Sequence, residues 1–361
     1  MIDEAAGKGL AEKQKFLPSL RCNNLRPARV KLLRMPVTVR SFAKINLGLA
    51  IGPLRTDRIH GLETIYQTVA AHDVIRVEAQ SGNGIEIRCK NPQVPCDETN
   101  TCYRVADRML RYWKQRAKVV ITIEKNLPVQ GGLGAGSANA VAALFALERE
   151  LKRPLPAEER LRITAEVGSD LPLFLLGGTV LGVGRGEQVY PLADLPATPC
   201  VLVTPNVAVS TPQAFSDWDA FAERETTEGH LTASSGSITL NKFSRSAFEW
   251  LSHLIDSGVP VEKDGDRAGT PLLDLVRAGI ENDFERVVFP QYPELRDVKR
   301  ILEREGAEYA SLSGSGSTMY GLFLTRERAG EAARKLNDDG LRAIFTETLT
   351  RSEYHAQRFV K

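Results

Sequence analysis

The stretch PVQGGLGAGSANAV, residues 128–141, places four glycines within six positions and follows them with a serine and an alanine-rich run. Glycine loses more backbone freedom on folding than any other residue, so such a cluster is expected where the chain turns sharply or approaches another group closely. A tight connection by itself needs only one glycine. Four glycines followed by a hydroxyl therefore favour a loop that binds phosphate through its backbone.

The segments on either side of this loop predict a strand and a helix. KVVITIEK (118–125) is typical of a strand, and Ala140, Leu144, Leu147 and Leu151 recur at the spacing of an amphipathic helix. The loop thus enters a helix N-terminus, where free N–H groups and the helix dipole attract anions. No Gly-Lys-Ser/Thr follows, so this is not a Walker A loop. The G-x-G-x-G spacing, with no acidic residue at a strand end about 20 residues on, also excludes the dinucleotide fingerprint.

Alternation of apolar and polar residues predicts strands upstream of the loop. The pattern that begins at Val37 places Lys44 and Asn46 on the polar face of a strand that is expected to be buried on one face only. The segments VIRVEAQ (74–80) and GIEIRCK (84–90), separated by SGN, indicate a hairpin.

Two further helices are predicted around the loop. One lies in TNTCYRVADRMLRYWKQR (99–116), with Thr99 or Asn100 as its N-cap, and the other in RPLPAEERLRITAEVG (153–168), after a proline. The apolar run LPLFLLGGTVLGVG (171–184) is shorter than the about 18 residues of a membrane span and is interrupted by proline and glycines. It is therefore expected to be core.

The second half of the chain shows weaker signals. CVLVTP (200–205) indicates a strand that enters a turn, and ILEREG (301–306) is helical in character. SLSGSGSTMYGLFL (311–324) contains a second glycine-serine loop that leads into an alternating strand. Residues 224–245 and 262–270 are polar and are expected to form exposed insertions.

Composition restricts the class of protein. The 361 residues are 42% hydrophobic and 25% charged, and 47 basic against 45 acidic residues give a net charge of +2, so neither a nucleic acid nor an anionic membrane is an expected partner. The five cysteines form no C-x-x-C pair, which argues against a disulfide framework or a zinc site and predicts a reducing, cytoplasmic location. Residues 1–34 contain no apolar signal core and are expected to form a flexible tail.

The pattern P-x-x-G-G-L-G-x-G-S-x-N-A in residues 128–140 resembles the ATP loop of the GHMP kinases, named for galactokinase, homoserine kinase, mevalonate kinase and phosphomevalonate kinase. SFAKINLGL (41–49), GSDLPLFLLGG (168–178) and SLSGSGSTMYGLF (311–323) are similar to the other landmarks of that family, in the same order. The resemblance extends from about Val37 to Leu324.

Within the family, DRIHGLET (57–64), STPQAF (210–215) and ENDFE (281–285) most resemble the members that phosphorylate a hydroxyl of a cytidine-bearing polyol in the non-mevalonate route to isoprenoids. Another GHMP kinase, acting on homoserine or mevalonate, is the first alternative. A non-catalytic metabolite-binding relative is the second. The cytidine segments argue against the first, and the presence of every catalytic motif argues against the second.

The resemblance implies a two-domain α+β GHMP kinase fold. A ribosomal protein S5 domain 2-like N-terminal domain over residues 35–190 would bind ATP and hold the catalytic residues, and a ferredoxin-like C-terminal domain over 191–361 would bind the substrate. ATP would be the co-substrate, with Mg²⁺ for which no direct protein ligand is assigned. The expected partner is a small molecule, and the expected state is a monomer or weak homodimer.

The catalytic residues implied by the resemblance are Lys44 and Asp170. Lys44 would lie beside the reacting hydroxyl, where a cation favours an ionised Asp170 and stabilises the charge that develops in phosphoryl transfer. Asp170 would be the general base for that hydroxyl. An aspartate that precedes Pro172 also fits a helix N-cap, and both roles are compatible.

The remaining site residues also follow from the resemblance. Asn100 and Lys125 would contact adenosine, although a helix cap and a strand-end lysine explain them equally well. His60 would read the cytosine and Phe215 would stack on it. The predicted ATP-binding residues are Pro128, Val129, Gln130, Gly131, Gly132, Leu133, Gly134, Ala135, Gly136, Ser137, Ala138, Asn100 and Lys125, and the predicted substrate-binding residues are Asn46, His60, Thr211, Phe215, Ser313, Gly314, Ser315 and Gly316.

Two positions depart from the family pattern. The family commonly has Gly-Tyr-His before L-x-T, whereas this chain has Arg58, Ile59 and His60, so an aliphatic side chain replaces the tyrosine that would form a second wall around cytosine. Gln130 also stands where the family loop often has another glycine. The first departure affects the expected substrate geometry, and the second affects only the entry to the loop.

Overall fold

The structure is a computed structural model that describes residues 35–56, 58–227, 243, 245–247 and 280–360. The tail at 1–34, the segment 262–270 and most of the segment 224–245 lie outside the described residues. Residues Pro36–Lys361 form one compact unit. None of the described helices is long and apolar enough to cross a membrane.

The first sheet contains six strands, and its first strand carries Lys44 and Asn46. Its order is β3-β4-β2-β5-β6, and β1 pairs antiparallel with β2 off this path. The strands are β1 Val37–Leu54, β2 His60–Gln80, β3 Gly84–Cys89, β4 Lys118–Glu124, β5 Thr179–Val183 and β6 Gln188–Pro191.

The prediction that β1 is buried on one face only is wrong. Lys44 and Asn46 are 3% and 1% exposed, although the alternating pattern places them on the polar face. The opposite face, with Ile45 and Leu47, packs in one apolar cluster with residues of a second sheet such as Leu202. The polar face is buried because the glycine loop and its helix cover it, so its polar side chains must find partners inside the protein.

The predicted hairpin between residues 74–80 and 84–90 is also wrong. β3 pairs parallel with β4 and β2 pairs antiparallel with β4, so β4 lies between the two segments. Gln80 and Gly84 both pair with Lys118, the first residue of β4. The core of β4 is an apolar run, and an interior position buries it while satisfying its backbone groups on both edges.

Helices cover the first sheet. Asn100 caps the first helix as predicted, because its side-chain oxygen accepts the backbone N–H of Cys102 at 2.8 Å. The helix after the glycine loop is confirmed but is buried nearly all round instead of amphipathic, and its buried Glu148 accepts two hydrogen bonds from Arg160. These helices are α1 Thr101–Tyr112, α2 Ala135–Leu151, α3 Ala157–Val167 and α4 Leu173–Leu176.

The second sheet has four antiparallel strands in the order β10-β7-β9-β8. With its helices it forms a β-α-β-β-α-β unit, the ferredoxin-like arrangement that the resemblance implies. The predicted strand in 200–205 and helix at 301–306 are confirmed within it. The elements are β7 Pro199–Thr204, α5 Thr211–Thr227, α6 Glu285–Gln291, α7 Pro293–Arg304, β8 Tyr309–Leu312, β9 Met319–Leu322, α8 Arg326–Asp338 and β10 Arg342–Glu347.

A last helix, α9 Arg351–Gln357, returns to the first sheet. Tyr354 of α9 packs against Phe42 of β1 and donates its hydroxyl to the carbonyl oxygen of Phe174 at 2.6 Å. The backbone of Val360 then donates to Thr38. The end of the chain therefore packs on the strand that carries Lys44, and the domain boundary between residues 190 and 191 stays a prediction.

Candidate active site

The glycine loop borders a cavity of about 350 Å³ at the start of α1 and α2. Nearly all the predicted ATP-binding residues line it, and Asn100 and Lys125 lie in the same wall. Ala138 is the exception, since it is 3% exposed and does not line the cavity. The sequence interpretation missed other lining residues. Asn139 belongs to the loop pattern of residues 128–140, whereas the rest carry no recognisable motif: Gln93, Val94, Pro95, Thr99, Thr101, Cys102 and Ile123.

The loop backbone is shaped for an anion. Gln130, Gly132 and Gly134 have φ of 59°, 78° and 64°, all in the left-handed region. Gln130 thus adopts a conformation that usually calls for glycine or asparagine. Gly134 is the N-cap of α2 without a side-chain hydrogen bond. The first N–H groups of this long helix therefore have no intrahelical partner and can bind a phosphate.

One glycine of the loop has a packing reason that is independent of any ligand. A side chain on Gly132 would overlap the backbone carbonyl oxygen of Ser313 in the second glycine-serine loop. Ser313 donates its hydroxyl to the carbonyl oxygen of Gly132 at 2.9 Å, and the N–H of Thr318 donates to the carbonyl oxygen of Gly131 at 3.1 Å. The density of glycines therefore reflects both a close backbone contact and an anion site.

Lys44 and Asp170 come together beside this loop. The Lys44 Nζ atom lies 3.7 Å from Asp170 Oδ2 and donates to Asn46 Oδ1 at 2.6 Å. The lysine side chain is 4% exposed and the aspartate side chain is 36% exposed. Burial lowers the pKa of Lys44, and the charge of Asp170 acts in the opposite direction. A buried cation thus lies beside a carboxylate that solvent or a substrate can reach.

The loop and the strand hold Lys44 in place. Its backbone N–H donates to the carbonyl oxygen of Leu133 at 3.0 Å, and a side chain on Gly134 would lie 3.1 Å from its Cγ atom. Asn46 is fixed in turn, since its amide donates to the Thr64 hydroxyl at 2.7 Å. Asn46 therefore orients Lys44, and its contact with substrate stays a prediction.

Asp170 does not act as a helix cap. The N-cap of α4 is Pro172, and no side-chain hydrogen bond is made there. Instead, Asp170 Oδ1 accepts a hydrogen bond from the Tyr66 hydroxyl at 3.2 Å. Burial chiefly, and then the charge of Asp170, raises the pKa of Tyr66 well above its usual value, so the phenol stays neutral. Sequence alone did not single out Tyr66, because an isolated tyrosine in a strand is no motif.

The second glycine-serine loop reaches the same point. A side chain on Gly314 would lie 3.5 Å from Lys44 Nζ, so this backbone borders Lys44. The Ser315 hydroxyl lies 2.8 Å from that of Thr211 at the start of α5. Asn282 donates to the carbonyl oxygens of Leu312 and Gly314, both at 2.8 Å. Asn282, in the ENDFE stretch (281–285), therefore anchors this loop.

Glu285 gives the same stretch a second anchor. Its Oε1 atom accepts hydrogen bonds from the Ser311 hydroxyl and from the backbone N–H of Leu312, at 2.8 and 2.9 Å. Its Oε2 atom pairs with Lys299 at 2.6 Å. A partly buried carboxylate with three donors fixes the strand that leads into the loop.

His60 and Phe215 meet at the other end of the site. Their rings stack with centroids 5.5 Å apart and planes 7° from parallel. His60 Nδ1 lies 2.9 Å from the carbonyl oxygen of Gly52, to which it donates, and Nε2 lies 2.9 Å from Asp219 Oδ1. The second contact is close but not aligned as a hydrogen bond. Nδ1 is therefore held by the protein backbone, and the contact of His60 with cytosine stays a prediction.

The protein also engages the two predicted adenosine contacts. Lys125 Nζ lies 2.6 Å from Asp73 Oδ2, and Asp73 is fully buried. Asn100 caps α1 through its oxygen and donates its amide hydrogen to Pro95 at 2.7 Å. Both structural roles are thus observed, and contact with ATP stays a prediction for each residue.

No group of three or more His, Cys, Asp and Glu side chains suited to a metal ion occurs among the described residues.

The fold and the site define a class of small-molecule kinase, and comparisons with known proteins agree. The family model for the GHMP kinases N terminal domain matches residues 100–178, and the model for the GHMP kinases C terminal domain matches residues 268–341. The chain belongs to the GHMP kinase family. This confirms the family and the α+β fold predicted from the sequence.

The chain is also similar to curated members of this family. It is 34% identical over 301 residues to the 4-diphosphocytidyl-2-C-methyl-D-erythritol kinase of Solibacter usitatus (strain Ellin6076), covering 83% of this chain and 85% of the relative. It is 32% identical over 311 residues to the enzyme of the same name from Acaryochloris marina (strain MBIC 11017), covering 83% and 91%.

Solved structures agree with the family. A crystal structure of 4-(cytidine 5'-diphospho)-2C-methyl-D-erythritol kinase has a TM-score of 0.64 at 26% identity and covers 86% of this chain and 98% of its own. The homoserine kinase of Cytophaga hutchinsonii ATCC 33406 has the same TM-score at 18% identity, covering 88% and 96%. Because its identity to this chain is only 18%, the homoserine kinase structure shows the shared fold alone.

Proposed function

We propose that this chain transfers the γ-phosphoryl group of ATP to the 2-hydroxyl of 4-diphosphocytidyl-2-C-methyl-D-erythritol, in the non-mevalonate route to isoprenoids. The observation that carries the proposal is the meeting of Lys44 and Asp170, 3.7 Å apart, at the point where both glycine-rich loops converge. A base, a cation and a phosphate cradle are what phosphoryl transfer to an alcohol requires.

The step follows from these groups. Asp170 accepts the proton of the substrate hydroxyl, whose oxygen forms a bond to the γ-phosphorus while the bond to the β–γ bridging oxygen breaks and ADP leaves. Lys44 stabilises the charge on the reacting oxygens. The N–H groups at the start of α2 hold the phosphates. General base catalysis of this kind contributes roughly 10²- to 10⁴-fold in rate.

Mg²⁺ accompanies ATP in this proposal and neutralises phosphate charge when it is bound. The phosphates and water supply most of its ligands. Ser137, which follows the last loop glycine and lines the cavity, is the protein oxygen that would hold it. Lys44 binds and orients the reacting groups from its buried position beside Asp170.

The cytidine end of the substrate is assigned to the face formed by Phe215 and its neighbours. The family segments around His60 and Phe215 lie side by side although they are 155 positions apart in the chain (215 − 60). One face of Phe215 packs on His60, and the Phe284 ring meets it edge to face at 5.0 Å. Ile59 is 39% exposed beside this cluster and offers an aliphatic surface.

Thr211, Ser313, Gly314, Ser315 and Gly316 complete the substrate side of the proposal. Residues 35–190 would form the ATP-binding and catalytic domain, and residues 191–361 the substrate-binding domain. We place the enzyme in the cytoplasm as a monomer or weak homodimer, which sedimentation at several concentrations tests.

The test of this function is ADP release measured against a panel of alcohols. The panel contains 4-diphosphocytidyl-2-C-methyl-D-erythritol, 2-C-methyl-D-erythritol 4-phosphate, homoserine and mevalonate. We expect turnover on the cytidylyl compound only. Faster turnover on homoserine or mevalonate would select another GHMP kinase activity, and ATP binding without turnover on any alcohol would select a non-catalytic relative.

A further inference from the structure

Tyr66 contacts both catalytic residues. Its hydroxyl donates to Asp170 Oδ1 at 3.2 Å, and its ring centroid lies 5.6 Å from Lys44 Nζ. The two carboxylate oxygens of Asp170 thus have different partners, since Oδ1 faces the phenol of Tyr66 and Oδ2 faces the ammonium group of Lys44. Tyr66 is 2% exposed, so neither contact competes freely with water.

The surrounding backbone leaves room for this ring. A side chain on Gly186 would overlap the Tyr66 hydroxyl, and a side chain on Gly182 would overlap the edge of its ring. Gly182 belongs to β5, which pairs with β2 next to Tyr66, and Gly186 lies in the following turn. On the other side, Tyr66 pairs with Asn46 of β1, the residue that holds Lys44. The strand register therefore places the phenol of Tyr66 beside Lys44 and Asp170.

We propose that Tyr66 is a positioning residue for phosphoryl transfer, which holds Oδ1 of Asp170 so that Oδ2, beside Lys44, is presented to accept the substrate proton. This inference rests on the proposed function and assigns a role that the family motifs do not contain. A carboxylate with 36% side-chain exposure can rotate among rotamers, and one fixed donor on Oδ1 reduces that freedom. The ring beneath Lys44 also restricts where the ammonium group can move.

The test is the Tyr66→Phe variant, which removes only the hydroxyl. We expect kcat to fall about tenfold, the order expected for one hydrogen bond to a charged group. KM for ATP and for the alcohol should change by less than about twofold, because neither ligand needs this hydroxyl to bind. The matched control is Tyr354→Phe, which also removes a buried hydroxyl, one that donates to a backbone carbonyl oxygen away from Asp170.

A purely structural role predicts a different result. Tyr66→Phe and Tyr354→Phe would then lower the melting temperature alike, and neither would change kcat. An unchanged kcat in Tyr66→Phe, or a rise in KM with kcat preserved, would overturn the proposal. If Tyr66→Phe does not fold, Gly182→Ala displaces the same ring and should lower kcat in the same way.

A double-mutant cycle tests whether Tyr66 acts through Asp170. In the Asp170→Asn background, Tyr66→Phe should change kcat by less than about twofold, because no base is left to orient. A tenfold loss in both backgrounds would contradict the proposed route. Failure of the function itself gives a separate signal, since the unmodified protein would then not phosphorylate the cytidylyl alcohol.

Discussion

The Ser313 hydroxyl donates to the carbonyl oxygen of Gly132 at 2.9 Å, across 181 positions of sequence. This bond joins the two glycine-rich loops that border Lys44. The ATP loop therefore owes its shape partly to the second loop and partly to its own glycines. The two family motifs form one structure, and Lys44 and Asp170 lie beside the point where they meet.

Gly132→Ala should destabilise the protein. The new methyl group would overlap the carbonyl oxygen of Ser313, and φ at this position is 78°. We expect a loss of more than about 1–2 kcal/mol in the free energy of unfolding, measured by urea denaturation. Gly136→Ala is the matched control for stability, because its methyl group would meet only the Thr101 hydroxyl, at 3.9 Å. Equal stability of the two variants would show that the loops do not pack as described.

Asp170→Asn should lower kcat by roughly 10²- to 10⁴-fold, because the amide cannot accept the hydroxyl proton. The dissociation constant for ATP, measured by calorimetry, should be nearly unchanged. Asp107→Asn, on the outer face of α1 beside Arg111, serves as a control for loss of a carboxylate. Normal turnover in Asp170→Asn would remove this residue from the mechanism.

The alkaline limb of the kcat profile should reflect Lys44. Burial lowers its pKa from the usual 10.5, so the ammonium group loses its proton, and its charge, at a lower pH than in a free chain. Activity should therefore decline with rising pH before 10.5 is reached. The neighbouring Tyr66 cannot cause this limb, because its pKa is raised well above 10.0.

Lys44→Arg provides the comparison for the alkaline limb, since a guanidinium keeps its charge throughout this range. We expect lower activity overall but no decline on the alkaline side. The measurement is kcat at saturating substrate across the pH series. The same alkaline decline in the arginine variant would assign the limb to another group.

Phe215→Ala should raise KM for the cytidylyl alcohol and leave KM for ATP nearly unchanged. Base–aromatic stacking is worth about 1–3 kcal/mol, which corresponds to about 5- to 150-fold in binding. Ile59→Tyr should be neutral or tighten binding, because it restores an aromatic wall. A silent Phe215→Ala variant would indicate that the cytosine binds elsewhere.

The sequence predicted where helices and strands occur better than it predicted which strands pair. The strand-loop-helix unit around residues 128–141 was evident because periodicity and glycine placement are local signals. The hairpin prediction failed because β4 enters between two segments that are separated by only three residues, and nothing local encodes that insertion. The prediction that β1 is buried on one face only failed for a similar reason, since the loop that covers the other face is about 90 residues away in the sequence.

The site shows the same limit. Lys44, Asp170 and the loop could be named because each lies in a recognisable motif. Tyr66 and Asp219 could not, because a tyrosine in a strand and an aspartate in a helix become informative only when strand register and helix packing bring them to a partner. The contacts of the His60 ring could not be predicted either, because Gly52 and Asp219 reach it only through strand pairing and helix packing.

In the mechanism we propose, Lys44 and Asp170 act together to transfer a phosphoryl group from ATP to a cytidine-bearing alcohol. The most direct measurement follows the reaction of ATP, Mg²⁺ and 4-diphosphocytidyl-2-C-methyl-D-erythritol by ³¹P NMR. We predict a new phosphomonoester resonance on the cytidylyl compound, formed together with ADP and absent with Asp170→Asn. No new resonance with the unmodified protein, or an equal one on 2-C-methyl-D-erythritol 4-phosphate, which lacks cytidine, would contradict the account.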